Sequence, residues 1–202
     1  MEHVNCHPIV IIQLTCLFNC MMSQGYVPDA FGTGATVPVI KNVDSDSGSV
    51  DNYRGITISP ILSKLFEMCM LLRLSHFLKS SHLQYGFKEH YSCAHAIYTV
   101  KEVLNYFNKQ HSTANLAALD ISKAFDKVNH VTFFNKLLDR GIPADLIKVL
   151  VCWYHKCTAV VRWNEGTSRL LNIFAGVRQG GILSPLLFAV YIDDIVTRAT
   201  LC

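Results

Sequence analysis

Asp120 is the residue in this sequence whose position best suits metal-ion chemistry. It directly follows the apolar run Leu116–Leu119, which predicts a buried strand, and a polar turn separates it from Phe125. A carboxylate at the end of a buried strand can hold Mg²⁺ at the edge of a sheet, because this ion prefers oxygen ligands and the sheet fixes their direction. One carboxylate does not make a catalytic metal site, so further ligands would have to converge on Asp120.

Three other side chains have the chemistry to bind phosphate or a nucleotide. Lys41 follows the apolar run Ala35–Ile40, Arg54 precedes a β-prone stretch, and Gln179 lies in a glycine-bearing turn. Taken singly, each is better explained in a simpler way, as a solvated strand end, a surface ion pair and a loop residue. They become informative only through the order of the motifs that contain them.

The elements that would position these residues are helices and short strands. Apolar residues three and four positions apart predict helices, and β-branched stretches bounded by turn residues predict strands. Helices are predicted over residues 8–24, 60–79, 94–107, 131–138, 143–154 and 184 to about 199, and strands over 35–40, 116–119, 158–163 and 170–174, the last two as a hairpin.

The composition indicates a globular chain and excludes few classes of function. Half of the 202 residues are apolar and 16% are charged, which fits one domain, or one domain and part of another, and argues against disorder. The net charge of +3 is compatible with a nucleic-acid partner but does not require one.

Cysteine usage and hydropathy predict a protein that is neither secreted nor membrane-spanning. Eight irregularly spaced cysteines predict buried, reduced thiols. His90, Cys93 and His95 lie close together, but structural zinc normally takes four ligands and no second cluster completes the set, so no structural zinc is expected. The apolar run Pro8–Met22 contains polar residues, has no basic leader before it and is shorter than the ~20 residues of a membrane helix, so it predicts a core-facing helix.

A series of motifs runs in a fixed order through nearly the whole chain. They are Pro38–Lys41 (PVIK), Asn52–Ile56 (NYRGI), Lys64–Glu67 (KLFE), Gln84–Phe87 (QYGF), Leu119–His130 and Gly176–Phe188. Together they resemble the reverse transcriptase domain of non-LTR (LINE-type, jockey-like) retrotransposons. The most specific blocks are A-F-D-K-V-N-H and G-V-R-Q-G-G-I-L-S-P-L-L-F.

The resemblance implies an α+β polymerase right hand. Residues 1–202 would form one partial domain, the fingers and the first part of the palm, with an antiparallel palm sheet packed on helices and incomplete at the C-terminus. The second acidic motif, the thumb and an endonuclease would be absent. The implied partners are an RNA template, a DNA primer and deoxynucleoside triphosphates, in the nucleus or cytoplasm; the resemblance leaves the oligomeric state open.

The resemblance also implies a metal site centred on Asp120. The Asp120 carboxylate and the backbone carbonyl of Ile121 would be ligands of two catalytic Mg²⁺ ions, which activate the primer hydroxyl and neutralise charge on the transferred phosphate. Only half of the ligands of such a site would be present in this chain.

Five residues around Asp120 would form the nucleotide pocket. By resemblance, Lys41 and Arg54 hold the triphosphate, backbone amides around Ala124 meet it, and Gln179 contacts the nucleotide near its sugar. Phe125 would place its ring under the sugar and exclude a 2′-hydroxyl, although spacing alone would assign this ring to the core.

The segment Tyr191–Asp194 has the letters of the family's second acidic motif, aromatic-x-Asp-Asp, which lies at the tip of a β-hairpin. Here Ser184 and Pro185 are typical of a helix start, and no turn residue intervenes before Tyr191. We therefore expect Asp193 and Asp194 to lie in a helix and not to form the catalytic pair. Asp126 is expected to be structural, by helix capping or by a bond to a nearby backbone amide.

Asn129 and His130 are expected to order the turn after Asp126. The strand bearing Asp120 is expected to be an unpaired, aggregation-prone edge.

The leading hypothesis is therefore an RNA-directed DNA polymerase fragment that is inactive alone. One alternative is a non-catalytic nucleic-acid-binding remnant of the same fold. Another, which the predicted helix argues against, is a complete small polymerase that uses Asp193 and Asp194.

Overall fold

The computed structural model describes residues 7–44 and 46–199, which form helices and a small sheet. The α-helices are α1 (Pro8–Gln24), α2 (Asp29–Gly32), α3 (Ile61–Leu74), α4 (Cys93–Lys109), α5 (His130–Asp139), α6 (Ala144–His155) and α7 (Ser184–Ala199). The strands are β1 (Thr33–Ile40), β2 (Tyr53–Ile58), β3 (Thr158–Trp163), β4 (Gly166–Thr167) and β5 (Leu171–Asn172).

The predicted helices form because their start and stop signals are local. Helix α1 has Pro8 in its first turn and ends at Gly25, whose φ of +62° terminates it in a left-handed cap. Helix α3 is shorter than predicted and ends at Leu74, where a turn begins in which Phe77 and Leu78 both donate to the Leu74 carbonyl. The α+β class is confirmed.

The sheet is mixed rather than antiparallel, and it does not include Asp120. Strands β1 and β2 are antiparallel, with Ala35 opposite Ile58, whereas β1 and β3 are parallel, with Thr33 opposite Thr158. Strands β4 and β5 return antiparallel to β3, which confirms the predicted hairpin. The prediction of an antiparallel sheet was wrong because β1 and β3 are distant in sequence, and nothing local sets the direction in which they pair.

An aromatic cluster joins the helices beneath the sheet. The ring of Phe66 on α3 lies 5.1 Å from that of Phe18, 6.1 Å from that of Phe31 and 5.3 Å from that of Trp153. Phe66 and Trp153 are 1% and 2% exposed, so this cluster supplies a large buried apolar area where α1, α2, α3 and α6 meet.

The segment that carries Asp120 is irregular, so the predicted strand 116–119 was wrong. Residues 112–120 have no regular secondary structure, and Leu116 and Leu119 are 66% and 95% exposed. A strand is stabilised by hydrogen bonds to a neighbour, and no strand among the described residues pairs with this segment. Apolar sequence alone did not make it extended.

Two further expectations about burial were partly wrong. The six cysteines within the described ranges are free thiols, but Cys16, Cys20, Cys69 and Cys93 are exposed; Cys6 and Cys202 lie outside those ranges. Helix α1 fully buries only Phe18 and Met21, with Leu14 and Met22 packed against the core at its edge, so the helix is only partly core-facing. Within residues 7–44 and 46–199, no helix is long and apolar enough to cross a membrane.

Candidate functional site

A cleft of about 1070 Å³ lies between β2, the loop 120–127, the turn 176–183 and the start of α7. We refer to residues 120–127 as the Asp120 loop and to residues 176–183 as the Gln179 turn. The cleft brings together every residue for which the sequence predicted a catalytic, metal-binding or nucleotide-binding role. These are Lys41, Arg54, Asp120, Ile121, Ala124, Phe125 and Gln179.

The β1–β2 pairing places Lys41 and Arg54 on one face of the sheet. Val39 is opposite Arg54 in the ladder, and the Lys41 amide donates to the Asn52 carbonyl at 2.8 Å, which extends the pairing by one residue. Because side chains alternate along a strand, Lys41 and Arg54 project to the same side. The Lys41 Nζ donates to the Asp51 carbonyl at 2.7 Å. The Arg54 side chain is exposed, and its guanidinium makes no hydrogen bond or ion pair within the described part of the chain.

The Asp120 carboxylate is exposed and equally unengaged among the described residues. It shares the cleft with the Ile121 carbonyl, but the residues that the structure describes contain no group of three or more His, Cys, Asp or Glu side chains placed to hold a metal. Mg²⁺ is commonly held by one or two carboxylates together with phosphate oxygens and water. The oxygens of Asp120 and Ile121 suit a Mg²⁺ ion that arrives bound to phosphate. They do not form a preformed binding site for two metal ions.

The Phe125 ring is held in place by two other phenylalanines. It stacks on Phe188 of α7 with ring centroids 4.6 Å apart and an angle of 16° between the planes. Phe87 contacts both rings edge-on, at 5.9 Å from Phe125 and 6.1 Å from Phe188. Phe125 is half-buried, so its ring forms part of the cleft wall and is not a core side chain alone.

The Gln179 turn is attached to both sides of the cleft. The Gln179 carbonyl accepts from the Thr57 amide at 2.7 Å, and its side-chain Nε2 donates to Asp126 Oδ1 at 3.2 Å. Asp126 was predicted to cap a helix or bind a backbone amide, and it binds this side chain instead. Gly180 has a φ of +109°, and a Cβ there would lie 2.5 Å from the Thr57 carbonyl oxygen, so the close approach of turn and strand requires glycine.

One ion pair in the cleft has no signal in the sequence. Lys123 Nζ lies 2.7 Å from Asp51 Oδ1, joining the Asp120 loop to the β1–β2 connection. The hydrogen bond and charge of Lys123 lower the pKa of Asp51, and Asp51 in turn raises the pKa of Lys123. Their positions are 72 residues apart, so no local pattern could have paired them.

The charge of the cleft is on balance positive. Five basic side chains and three acidic ones line it. One of the basic side chains, Arg178, has a structural role. Its guanidinium donates to Ser59 Oγ at 3.1 Å and lies over the Trp153 ring. A cleft with this balance attracts a polyanion.

Asp193 and Asp194 lie in α7, as predicted, and outside the cleft. Asp193 is buried, accepts from the Ser81 amide at 2.8 Å and pairs with Arg140. Asp194 pairs with Lys136 at 2.8 Å. These contacts give both carboxylates a structural partner that does not line the cleft.

The turn before α5 is ordered by the two residues predicted to order it. The Asn129 side chain accepts from the Thr132 amide at 3.0 Å, which caps α5. His130 Nε2 lies 2.8 Å from the Gly176 carbonyl, and the Gly176 amide donates to Val128. The residues that follow the Asp120 loop, Val128 and His130, therefore hydrogen-bond to Gly176 at the start of the Gln179 turn.

Comparison with known proteins gives consistent matches across the chain. Residues 40–201 match the family model described as reverse transcriptase (RNA-dependent DNA polymerase). The RNA-directed DNA polymerase from mobile element jockey of Drosophila melanogaster is 30% identical over 194 residues, which cover 92% of this chain and 20% of that protein.

Two further relatives share a lower percentage of identical residues with this chain. The probable RNA-directed DNA polymerase from transposon X-element of Drosophila melanogaster is 26% identical over 92% of this chain and 21% of its own length. The Pol polyprotein from a type-1 retrotransposable element R2 of Popillia japonica is 27% identical over 86% of this chain and 24% of its own length. The chain thus spans between a fifth and a quarter of the length of these relatives.

Proposed function

The chain belongs to the reverse transcriptase (RNA-dependent DNA polymerase) family of non-LTR retrotransposons, and on that premise we propose that its cleft binds the incoming deoxynucleoside triphosphate of RNA-directed DNA synthesis. The observation that carries the proposal is the convergence of three distant segments on one positively charged cleft that contains the unpaired carboxylate of Asp120. Residues 1–202 would form the fingers and first part of the palm of a polymerase right hand, and the RNA template and DNA primer would be its other partners.

Charge and geometry support a phosphate-binding role for the β1–β2 face. Arg54 has a free guanidinium and can bind phosphate oxygens in bidentate fashion, while Lys41 adds a second positive charge on the same side of the sheet. The amide of Ala124, at the start of the Phe125–Lys127 turn, would meet the triphosphate from the opposite wall.

Phe125 and Gln179 would recognise the sugar. The stacked ring of Phe125 cannot move away without losing its contact with Phe188, so a 2′-hydroxyl at this wall would meet a fixed surface. Gln179 is held near by Asp126 and can contact the nucleotide through its remaining amide atoms.

Asp120 and the Ile121 carbonyl would hold Mg²⁺ delivered with the triphosphate. The ion would supply charge neutralisation for phosphoryl transfer. The chain's own contribution is to orient one carboxylate toward the bound phosphates. Asp51 and Asp126 also line the cleft, but each is engaged, by Lys123 and Gln179 respectively.

The proposal is tested by calorimetric titration of the 202-residue chain with dATP in Mg²⁺. Replacing Arg54 by Ala should weaken binding by at least about tenfold, because a phosphate charge would lose its bidentate partner. Arg169→Ala is the matched control, since Arg169 is also exposed but lies outside the cleft, and it should leave the affinity unchanged. Equal affinities for both variants would reject the cleft as the nucleotide site.

A further inference from the structure

Glu67 is a buried carboxylate that lies behind the cleft and not in it. It is carried by α3 and is 5% exposed, and no ion pair neutralises it within the described part of the chain. Its Oε2 accepts hydrogen bonds from the amides of Ile182 and Leu183, the latter at 3.2 Å. A buried charge is costly unless it is well hydrogen-bonded, and these two amides supply such bonds, while Arg178 lines the same small cavity as Glu67.

The two amides are the last of the Gln179 turn, and α7 begins at the next residue, Ser184. A carboxylate at this place also interacts favourably with the positive end of the α7 dipole. Gly181 brings the backbone close, because a Cβ there would lie 2.6 Å from Ser184 Oγ and 3.4 Å from Glu67 Oε2. The turn is thus packed directly against the Glu67 carboxylate.

Glu67 is one of several supports that fix the Gln179 turn. The Thr57 amide binds the Gln179 carbonyl from β2, and the Val177 amide binds the Phe125 carbonyl of the Asp120 loop at 2.8 Å. These two bonds hold the turn at its cleft side, whereas Glu67 alone holds it from α3. Because Glu67 does not line the cleft, its negative charge adds no acidic side chain to the surface that a triphosphate would meet.

We propose that Glu67 is a positioning residue for the nucleotide cleft, which it shapes by clamping the amides of Ile182 and Leu183. The inference rests on the proposed function, since it deepens the role of the Gln179 turn. Loss of the carboxylate charge weakens both hydrogen bonds and lets the turn shift, so that Gln179 no longer meets the nucleotide at a fixed position.

The test compares Glu67→Gln with Asp193→Asn, at a temperature where both variants are fully folded. Each change neutralises a buried carboxylate that accepts from backbone N–H, but Asp193 lies in the middle of α7, away from the Gln179 turn, and accepts from the Ser81 amide and from Arg140. We expect Glu67→Gln to weaken dATP binding about tenfold, the effect of about one charged hydrogen bond. Asp193→Asn should leave the affinity within about twofold of the unmutated chain. Equal affinities in the two variants would overturn the positioning role.

A readout without nucleotide keeps the inference testable if the variant does not fold. In the unmutated chain, the amide protons of Ile182 and Leu183 should resonate downfield and exchange slowly with solvent, as charge-assisted donors do. Ordinary shifts and fast exchange at both positions would overturn the proposal. If Arg54→Ala also leaves dATP affinity unchanged, the proposed function fails; if Arg54→Ala weakens binding and Glu67→Gln does not, only the role of Glu67 fails.

Discussion

Phe125 has little freedom to move in the cleft wall, because the rings of Phe87 and Phe188 pack against it. Replacing it by Val removes the ring and opens space at the sugar. The affinity ratio of dATP to ATP should then fall by roughly 10- to 100-fold, mainly because ATP binds better. Calorimetric titration with both nucleotides measures this ratio.

A phenylalanine outside the cleft provides the control for that substitution. Phe174 is 83% exposed and contributes nothing to the cleft wall, so Phe174→Val should leave the ratio unchanged. A ratio in Phe125→Val equal to that of the unmutated chain would show that the ring does not face the sugar.

At the scale of single residues, motif order predicted which side chains share the cleft, but not what each of them contacts. Lys41, Arg54 and Gln179 each had a simpler explanation in isolation. Their location in one cleft is what distinguishes them from ordinary surface residues. The Asp51–Lys123 ion pair and the clamp at Glu67 depend on distances between remote segments. Such contacts follow from tertiary structure and leave no periodic trace in the sequence.

Helix α7 shows how an element can carry a catalytic-looking motif without catalytic geometry. Its Asp193 pairs with Arg140, and the two side chains are 10% and 22% exposed. Asp193→Asn leaves Arg140 with an unpaired charge, so the free energy of unfolding should fall by about 2–3 kcal/mol, slightly less than for a fully buried pair. Urea denaturation measures the loss.

The neighbouring carboxylate gives the comparison. The Asp194 side chain is 45% exposed, so Asp194→Asn should cost less than about 1 kcal/mol. A larger loss from Asp194→Asn than from Asp193→Asn would contradict the structural ranking of the two contacts.

Elements whose signals are local were predicted well, and elements that depend on a partner were not. Helices α1, α5, α6 and α7 follow from apolar spacing, Pro and Gly positions within each segment. The stretch 116–119 has strand-like composition but lacks a hydrogen-bonding neighbour among the described residues, and it remains irregular. The apolar spacing of helix α4 predicted the helix correctly but not its packing, because α4 buries none of its residues.

In the molecule as a whole, the cleft exists because the mixed sheet and the Gln179 turn bring residues 41–56, 120–127 and 178–185 together. The parallel pairing of β1 with β3 joins segments more than 100 residues apart. Sequence spacing could not predict this pairing, so family resemblance, and not periodicity, supplied the expectation of a common site. The α4 face and the Asp120 segment remain the least packed parts, with Ile97, Tyr98 and Leu119 all more than 60% exposed.

The whole chain should bind nucleotide and yet fail to polymerise. Of the three carboxylates in the cleft, Asp51 and Asp126 are engaged, which leaves Asp120 alone to hold an ion, whereas two-metal phosphoryl transfer requires a shared set of ligands. Primer extension on an RNA template, with Mg²⁺ or Mn²⁺, should therefore give no template-dependent product. Product formation that Asp193→Asn abolishes would show that α7 supplies the missing carboxylates. Primer–template binding without dATP binding would instead favour a nucleic-acid-binding module that has lost the reaction.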